Sequence, residues 1–284
     1  MPLALVTDST ADLPPGWAEA HGVRVVPLYV HLQGKTYKDG VDLTAGELVR
    51  AVQAGAEIPT TSQPTPEDFK AAYTEALAEA DQVLSIHISS KLSGTVQSAR
   101  MAAEAFGGRV RVYDTLEASA GIGALVMLAD ELRRAGLDAE AILKRLQAAQ
   151  SGSLLRFTVA SLEFLKKNGR IGGAAAFLGG LLRIKPILTL AEGRVEPAGK
   201  ARGEKRALAE MTAALKDWSQ GRREPRVAYL YAGDPAAVEP LKARIRAELP
   251  ELKELYTGEL GAVITSHVGP GTYGFFAFDA GQAP

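Results

Sequence analysis

Short apolar runs alternate with amphipathic segments through the first half of the chain. The apolar runs at residues 3–6, 23–30, 83–88 and 110–113 have the length and composition of buried strands. Between and after them, the spacing of apolar positions predicts helices over residues 14–21, 43–54, 66–80, 93–105, 119–134 and 138–149. Strands that alternate with helices imply right-handed crossovers and a parallel sheet, whose ligands bind beyond the carboxyl ends of the strands.

The second half of the chain has more strands that can pair as hairpins. Glu192-Gly193 predicts a hairpin between two of these strands, and Gln33-Gly34 predicts one hairpin in the first half, over residues 29–40. Strands are predicted over residues 154–160, 183–190, 194–198, 226–231 and 252–256 and after Gly274, with helices over 161–167, 204–218 and 235–249. The sequence therefore predicts an α/β fold with a parallel-sheet domain over residues 1–155 and a second, α+β domain over residues 156–284.

Composition narrows the class of protein. Hydrophobic residues make up 46% of the 284 positions and charged residues 23%, which predicts a packed globular core. A net charge of −1 gives no support for nucleic-acid binding, and the absence of cysteine excludes disulfides and thiolate chemistry. The longest apolar stretch, residues 174–190, is broken by Arg183, Lys185 and Pro186, so no stable membrane insertion is expected. The N-terminus is typical of a first strand rather than a signal peptide, and we expect a soluble cytoplasmic protein.

Three polar clusters follow apolar runs and together suggest one anion site. They are Thr7-Asp8-Ser9-Thr10, Thr61-Ser62-Gln63-Pro64, and the hydroxyl-rich run from Ser89 to Thr95. Helix starts expose unpaired backbone N–H groups that favour a carboxylate or phosphate, and hydroxyls add donors. The simpler interpretation is that each cluster caps a helix.

Arg170 and His267 are the other candidate site residues. Arg170 lies between Gly169 and Ile171-Gly172 and could orient an anion, or it could be a solvated arginine near a helix end. His267 lies in a loop rich in glycine and proline, where it could hold a proton or simply be exposed in a turn. The other histidines show no pairing with one another, and no metal site is predicted. Asp8, Ser93 and His267 could form a hydrolytic triad, but no serine has the Gly-x-Ser-x-Gly context.

Five motifs in this order carry a family resemblance that covers essentially the whole chain. They are Thr7-Asp8-Ser9, Thr61-Ser62-Gln63-Pro64, Ser89-Ser90-x-Leu92-Ser93-Gly94-Thr95-x-Gln97-Ser98-Ala99, Gly169-Arg170-Ile171 and His267-x-Gly269-Pro270-Gly271. The set resembles the DegV family of bacterial fatty-acid-binding proteins. The sequence departs from the family at Gly172, where serine often follows Arg-Ile.

The resemblance implies a lipid-binding carrier without a cofactor, in which a long-chain fatty acid lies between the two domains. It implies that Thr61 and Ser93 hold the carboxylate, and Arg170 and His267 lie close by. We expect Ser62, Gly94 and Thr95 in the carboxylate site, and Thr7, Asp8, Ser9 and Gly269 near the head group. It also implies a fatty acid kinase as partner, which phosphorylates the bound acid.

The residues leave two classes of function open. The first is a carrier that performs no chemistry, and the second is an enzyme that uses Ser93 or His267 in acyl or phosphoryl transfer. The apolar side chains Phe177, Leu178, Leu181 and Leu182 could line an acyl tunnel or belong to the core. A basic segment, Lys200, Arg202, Lys205 and Arg206, could dock an acidic partner or be a solvated helix face.

Overall fold

The computed structural model describes residues 2–179 and 184–281. The strands are β1 (Leu3–Asp8), β2 (Val23–Val26), β3 (Tyr29–Leu32), β4 (Lys35–Lys38), β5 (Thr60–Ser62), β6 (Gln82–His87), β7 (Val110–Asp114), β8 (Leu154–Thr158), β9 (Ile184–Ala191), β10 (Arg194–Arg202), β11 (Pro225–Tyr231), β12 (Lys253–Glu259) and β13 (Tyr273–Asp279). The helices are α1 (Trp17–Ala20), α2 (Ala45–Gln53), α3 (Pro66–Glu79), α4 (Thr95–Ala103), α5 (Ala120–Arg134), α6 (Ala139–Ser151), α7 (Glu163–Lys167), α8 (Glu204–Ser219), α9 (Glu239–Glu248) and α10 (Ala262–Val268).

The strands form three sheets. The first, in the order β2-β1-β6-β7, is parallel throughout. The second, in the order β10-β9-β8-β13-β11-β12, is antiparallel except for the pair β11 and β12. The third is a small antiparallel sheet of order β4-β3-β5. The predicted α/β class with a parallel N-terminal sheet is confirmed, whereas the domain boundary at residue 155 stays a prediction.

Helix α5 joins the two halves of the molecule into one core. Its residues from Ala120 to Asp130 are all buried, as expected for a helix that is apolar on nearly every side. One buried cluster contains α5 together with Leu84 of the parallel sheet and Phe276 of the six-stranded sheet. The two sheets are therefore held in a fixed relation by shared hydrophobic packing.

Three local predictions need correction. The apolar run at residues 23–30 is two strands in different sheets, because it is interrupted at Pro27, which has no backbone N–H to donate. Residues 60–62 form the short strand β5, which the sequence did not predict. His267 lies in the last turn of helix α10 rather than in a loop.

Candidate ligand-binding site

A cavity of about 370 Å³ is lined by residues from both halves of the chain. Such a volume falls in the range of roughly 300–1,000 Å³ that is common for small-molecule sites. Its apolar lining consists of Leu28, Ile88, Leu92, Ala118, Leu155, Phe157, Leu165, Leu190, Val195, Leu230, Leu260, Val263, Ile264, Val268 and Phe275. Its remaining lining consists of Thr61, Ser62, Gln63, Ser93, Gly94, Ser119, Arg170, His267, Thr272, Tyr273 and Gly274.

Four of these residues, Thr61, Ser93, Arg170 and His267, form a group that we call the polar cluster. Thr61 Oγ1 and His267 Nε2 are 2.7 Å apart, although 206 positions separate them in the chain. Arg170 Nε donates to the carbonyl oxygen of Leu92 at 3.1 Å, which places the guanidinium beside the residue that precedes Ser93. The cluster thus gathers side chains from β5, the loop after β6, the loop after α7, and α10.

His267 is neutral in this setting. Burial lowers its pKa to about 4, and the nearby charge of Arg170 adds to the shift. Its Nδ1 atom is buried and has no hydrogen-bond partner among the described residues. A neutral imidazole with Nε2 protonated would donate to Thr61 Oγ1 and would leave the Thr61 hydroxyl proton free for a ligand.

Two aspartates from the N-terminal half hold the start of α10. Asp39 Oδ1 accepts hydrogen bonds from Ala262 N at 3.0 Å and Val263 N at 3.4 Å, and Asp12 Oδ1 accepts one from Gly261 N at 3.0 Å. These bonds satisfy backbone N–H groups that the first turn of a helix leaves unpaired. Since α10 has no side-chain cap of its own, the orientation of His267 depends on residues more than 220 positions away.

Ser93 and Gly94 are positioned at the start of α4. Ser93 Oγ lies 2.9 Å from Thr95 Oγ1 and accepts a longer hydrogen bond from Thr95 N. Gln63 lies across this helix start and donates from Nε2 to Ser98 Oγ at 3.1 Å. Gly94 permits that approach, because a Cβ atom there would lie only 2.0 Å from Gln63 Oε1.

The structure places the other predicted head-group residues behind the cavity lining. Thr7 Oγ1 donates to Ile86 O at 2.8 Å, and Ser9 Oγ accepts from Leu28 N at 3.0 Å. Asp8 is fully buried and accepts from the ring of His87 at 2.9 Å and from Ile88 N at 3.1 Å. These three residues therefore stabilise the carboxyl ends of β1 and β6. The loop that contains Ser93 follows β6.

Thr95 and Gly269 also lie outside the cavity lining, and Ser62 lies within it. Thr95 is buried beneath Ser93. Gly269 has a φ of 79° and packs against the ring of Phe164, which a Cβ atom would approach to 2.7 Å. Ser62 Oγ is 3.0 Å from the ring of His31.

The hydroxyls of the run from Ser89 to Thr95 have different roles. Ser89 is fully buried and donates to the carbonyl of Gly193 at 2.9 Å, which fixes the turn between β9 and β10 against this loop. Ser93 lines the cavity, whereas Ser90 is exposed. Most of the hydroxyls in this run therefore do not face a ligand.

The possible triad of Asp8, Ser93 and His267 is not assembled. Asp8 is paired with His87, and His267 contacts Thr61 instead of either partner. His87 continues to Ser85 Oγ at 2.5 Å, in a fully buried chain that lies outside the cavity lining. The pair of Asp8 and His87 could not be predicted from sequence spacing, because 79 positions separate the two residues.

The interpretation of the acyl-tunnel residues also changes. Phe177 packs against the main core, Leu178 is 42% exposed, and neither lines the cavity. Leu181 and Leu182 lie outside the described residues. The apolar lining comes mainly from one face of the six-stranded sheet, including Leu155, Phe157 and Leu190, and from α10.

The chemistry of the lining suits an amphipathic anion. Among the described residues that line the cavity, Arg170 is the one charged side chain, and the hydroxyls of Thr61 and Ser93 add neutral donors. Within residues 2–179 and 184–281, no group of three or more histidine, aspartate or glutamate side chains could hold a metal ion. In the same part of the chain, no helix combines the length and hydropathy needed to cross a membrane.

The protein is therefore of a class with a parallel sheet, a larger mixed sheet and a small third sheet, which enclose an apolar cavity with a polar cluster in its lining. The DegV family profile, described as "Uncharacterised protein, DegV family", matches residues 2–280. The chain belongs to the DegV family.

Individual members of the family are similar over nearly their whole length. A structure described as showing fatty acid binding of a DegV family protein from Thermus thermophilus has a TM-score of 0.95 and 54% identity, and the match covers 98% of this chain and 100% of that one. A stearic acid-binding protein from Eubacterium ventriosum has a TM-score of 0.89 and 25% identity, with 98% of each chain covered. A DegV domain-containing protein of Deinococcus radiodurans is 49% identical over 276 residues, which cover 96% of this chain and 97% of the relative.

Proposed function

We propose that this protein binds a long-chain fatty acid in the cavity, with the carboxylate at the polar cluster. The observation that carries the proposal is that an extended apolar lining and the polar cluster belong to the same cavity. Within the polar cluster, Thr61 and His267 are in hydrogen-bonding contact. The fatty-acid-binding relatives, one of which binds stearic acid, support the same class of ligand.

The energetics of such a ligand suit this site. Burial of a saturated sixteen-carbon chain gains on the order of 10 kcal/mol before ordering costs, at about 0.8 kcal/mol per methylene. The carboxylate needs donors, because an unpaired buried charge would cancel much of that gain. The hydroxyls of Thr61 and Ser93 and the backbone N–H groups at the start of α4 can supply them.

His267 and Arg170 have supporting roles in the proposed complex. A neutral His267 that donates to Thr61 Oγ1 directs the Thr61 hydroxyl proton towards the carboxylate. Arg170 already donates to two backbone carbonyls, of Leu92 and Asn168, so we assign it an electrostatic role near the carboxylate rather than that of primary ligand.

We further propose that the protein acts as a cytoplasmic carrier and presents its bound acid to a fatty acid kinase. The description of relatives as fatty-acid-binding proteins favours a carrier over an enzyme. In the described part of the chain Ser93 contacts Thr95 and no general base, and His267 contacts Thr61 rather than Ser93, so acyl transfer by a Ser93 nucleophile is not supported. We therefore assign chemistry on the carboxylate to the kinase partner.

Palmitate titration of parent and variant proteins tests the placement of the carboxylate. Thr61→Ala combined with Ser93→Ala removes two hydrogen bonds to a charged group, each worth roughly 1.5–3 kcal/mol. We expect the dissociation constant of palmitate to rise at least about tenfold. Ser90→Ala, which removes an exposed hydroxyl of the same loop, should leave it unchanged. Equal affinity of the double variant and the parent would contradict this placement.

A further inference from the structure

Asn168 occupies an unusual position beside the polar cluster. It is the only asparagine in the chain, follows the last residue of α7, and is 8% exposed. It does not belong to the cavity lining, so it would not contact a ligand there. Its hydrogen bonds nevertheless reach three of the segments that carry the polar cluster.

The side-chain amide of Asn168 joins the Thr61 segment to the His267 segment. Its Nδ2 donates to the carbonyl oxygen of Pro59 at 3.1 Å and to that of Ser266 at 2.9 Å. Pro59 lies two residues before Thr61, and Ser266 directly precedes His267. Both hydrogens of the NH₂ group are thereby used.

Both acceptors are carbonyls that local structure leaves without a donor. In a continuing helix, Ser266 O would accept from the residue four positions later, but that residue is Pro270, which has no N–H. Pro59 is buried and precedes the paired residues of β5. A buried carbonyl without a partner is destabilising, so a donor is needed at each point.

The main-chain carbonyl of Asn168 connects Arg170 to the same two segments. The Asn168 carbonyl accepts from Arg170 Nη1 at 2.6 Å, and Arg170 Nε reaches Leu92 O. Gly169 lets the chain turn so that Arg170 can reach the Asn168 carbonyl. Its φ of 69° is a left-handed conformation that glycine adopts without strain. One residue therefore connects the segments of Thr61, His267 and Arg170, and through Arg170 it reaches the Ser93 loop.

Only a primary amide meets these demands in the space of an asparagine. It offers two N–H donors from one nitrogen and carries no charge. Aspartate has the same shape but would place a carboxylate oxygen against two carbonyl oxygens. An aliphatic side chain would leave both carbonyls unpaired.

We propose that Asn168 is a positioning residue that fixes Thr61 and His267 at hydrogen-bonding distance and sets the geometry of the carboxylate site. The identity of the ligand rests on the proposed function, whereas the hydrogen bonds of Asn168 are contacts within the protein itself. It assigns to Asn168 an effect on binding without any contact with the bound acid.

The first test compares Asn168→Asp with Thr212→Val. Thr212 is fully buried in α8 and donates to Leu208 O at 2.8 Å, so its replacement also removes a buried side-chain hydrogen bond but lies outside the cavity lining. We expect Asn168→Asp to weaken palmitate binding at least about tenfold and Thr212→Val to change it less than about twofold. Equal palmitate affinity of Asn168→Asp and the parent would overturn the proposal.

A second readout separates positioning from general destabilisation. The four histidines of the chain can be titrated individually by nitrogen-15 NMR, and the His267 midpoint should rise in Asn168→Leu, which adds no charge beside the imidazole, and stay fixed in Thr212→Val. A weaker affinity with an unmoved His267 titration would count against positioning, because the loss would then reflect stability alone.

A third measurement needs no variant and covers the case in which Asn168→Asp does not fold. Selective nitrogen-15 asparagine labelling of the parent yields a single side-chain NH₂ group, because there is one asparagine. Both protons should exchange slowly with solvent. Exchange at the rate of a free amide would overturn the proposal. If the parent fails to bind palmitate, the proposed function falls, while the His267 titration and the exchange rates still decide the role of Asn168.

Discussion

At the scale of single residues, the site is built from neutral donors held by distant partners. Thr61 and His267 meet at 2.7 Å across 206 positions of sequence. Asp39 and Asp12 use their carboxylates on the backbone at the start of α10 rather than on a ligand. Uncharged hydroxyls suit a carboxylate ligand, because they donate to it while keeping their own desolvation cost moderate.

The sequence identifies the residue types of the polar cluster but not the partners that orient them. The motifs of the sequence indicate all four members of the polar cluster, and all four line the cavity. Asn168 and Gln63 were not identified as positioning residues, because their contacts join segments far apart in the chain. Asp8 was expected near the head group, yet its carboxylate is committed to His87 and Ile88 N.

Glu117 provides a prediction about pH at this scale. Burial raises its pKa to about 8, against a smaller opposing effect of the hydrogen bond from Ser153. The folded protein therefore retains a proton that the unfolded chain loses above about pH 4.5, so this group makes the protein less stable as pH rises from about 4.5 to 8.

Glu117→Gln mimics the protonated side chain and should remove this loss. We expect the free energy of unfolding at pH 8 to rise by roughly 1–3 kcal/mol relative to the parent, with a much smaller difference at pH 5. Urea unfolding at the two pH values measures the effect. Glu57→Gln, at an exposed position, should change neither value. A stabilisation of the same size at both pH values would contradict the assignment.

At the scale of elements, the sequence predicts those that are specified locally and misses those that depend on distant residues. The hairpin of β3 and β4 forms at Gln33-Gly34, and α3 begins with a capping box at Thr65 and Asp68. In contrast, β5 is only three residues long and exists through its pairing with β3. The residues of α10 include a β-branched run, and its start is held by Asp12 and Asp39.

The junction between β5 and α4 can be tested by a rescue experiment. Gly94→Ala would place Cβ 2.0 Å from Gln63 Oε1, so Gln63 must move away from Ser98. We expect palmitate affinity to fall by about three- to tenfold, since Gln63 follows β5, which carries Thr61, and contacts α4, which begins just after Ser93. In a Gln63→Ala background the same glycine substitution should have little further effect, because the clash is gone. Additive losses would show that the two residues act independently.

At the scale of the whole molecule, one shared core fixes the two larger sheets and leaves a cavity lined by the six-stranded sheet and by loops that follow strands of the parallel sheet. The parallel sheet positions the Ser93 loop, the six-stranded sheet supplies apolar lining, and α5 packs between them. The general α/β class could be predicted from the alternation of strands and helices. The cavity could not, because its lining is drawn from segments spread from Leu28 to Phe275.

The basic segment predicted from the sequence is exposed and spans the end of β10 and the start of α8. Arg202 ends β10, and Arg206 forms an ion pair with Glu210 at 2.9 Å. If this segment docks an acidic kinase surface, charge reversal should slow partner encounter, most strongly at low salt.

We expect Arg202→Glu combined with Arg206→Glu to reduce the rate of acyl phosphate formation by an added fatty acid kinase, with palmitate affinity unchanged. Arg111→Glu combined with Lys253→Glu makes the same change in net charge at other exposed positions and serves as the control. The measurement is the kinase rate of each double variant across a series of salt concentrations. Equal rates for the two charge-reversed proteins would exclude the segment from the docking surface.

Mass spectrometry of an organic extract from the denatured, purified protein tests whether the cavity holds a long-chain fatty acid. We expect a long-chain fatty acid at about one molecule per chain in the parent, and a strongly reduced amount in the Thr61→Ala, Ser93→Ala double variant. An extract of the parent without fatty acid, together with no binding of added palmitate, would contradict it.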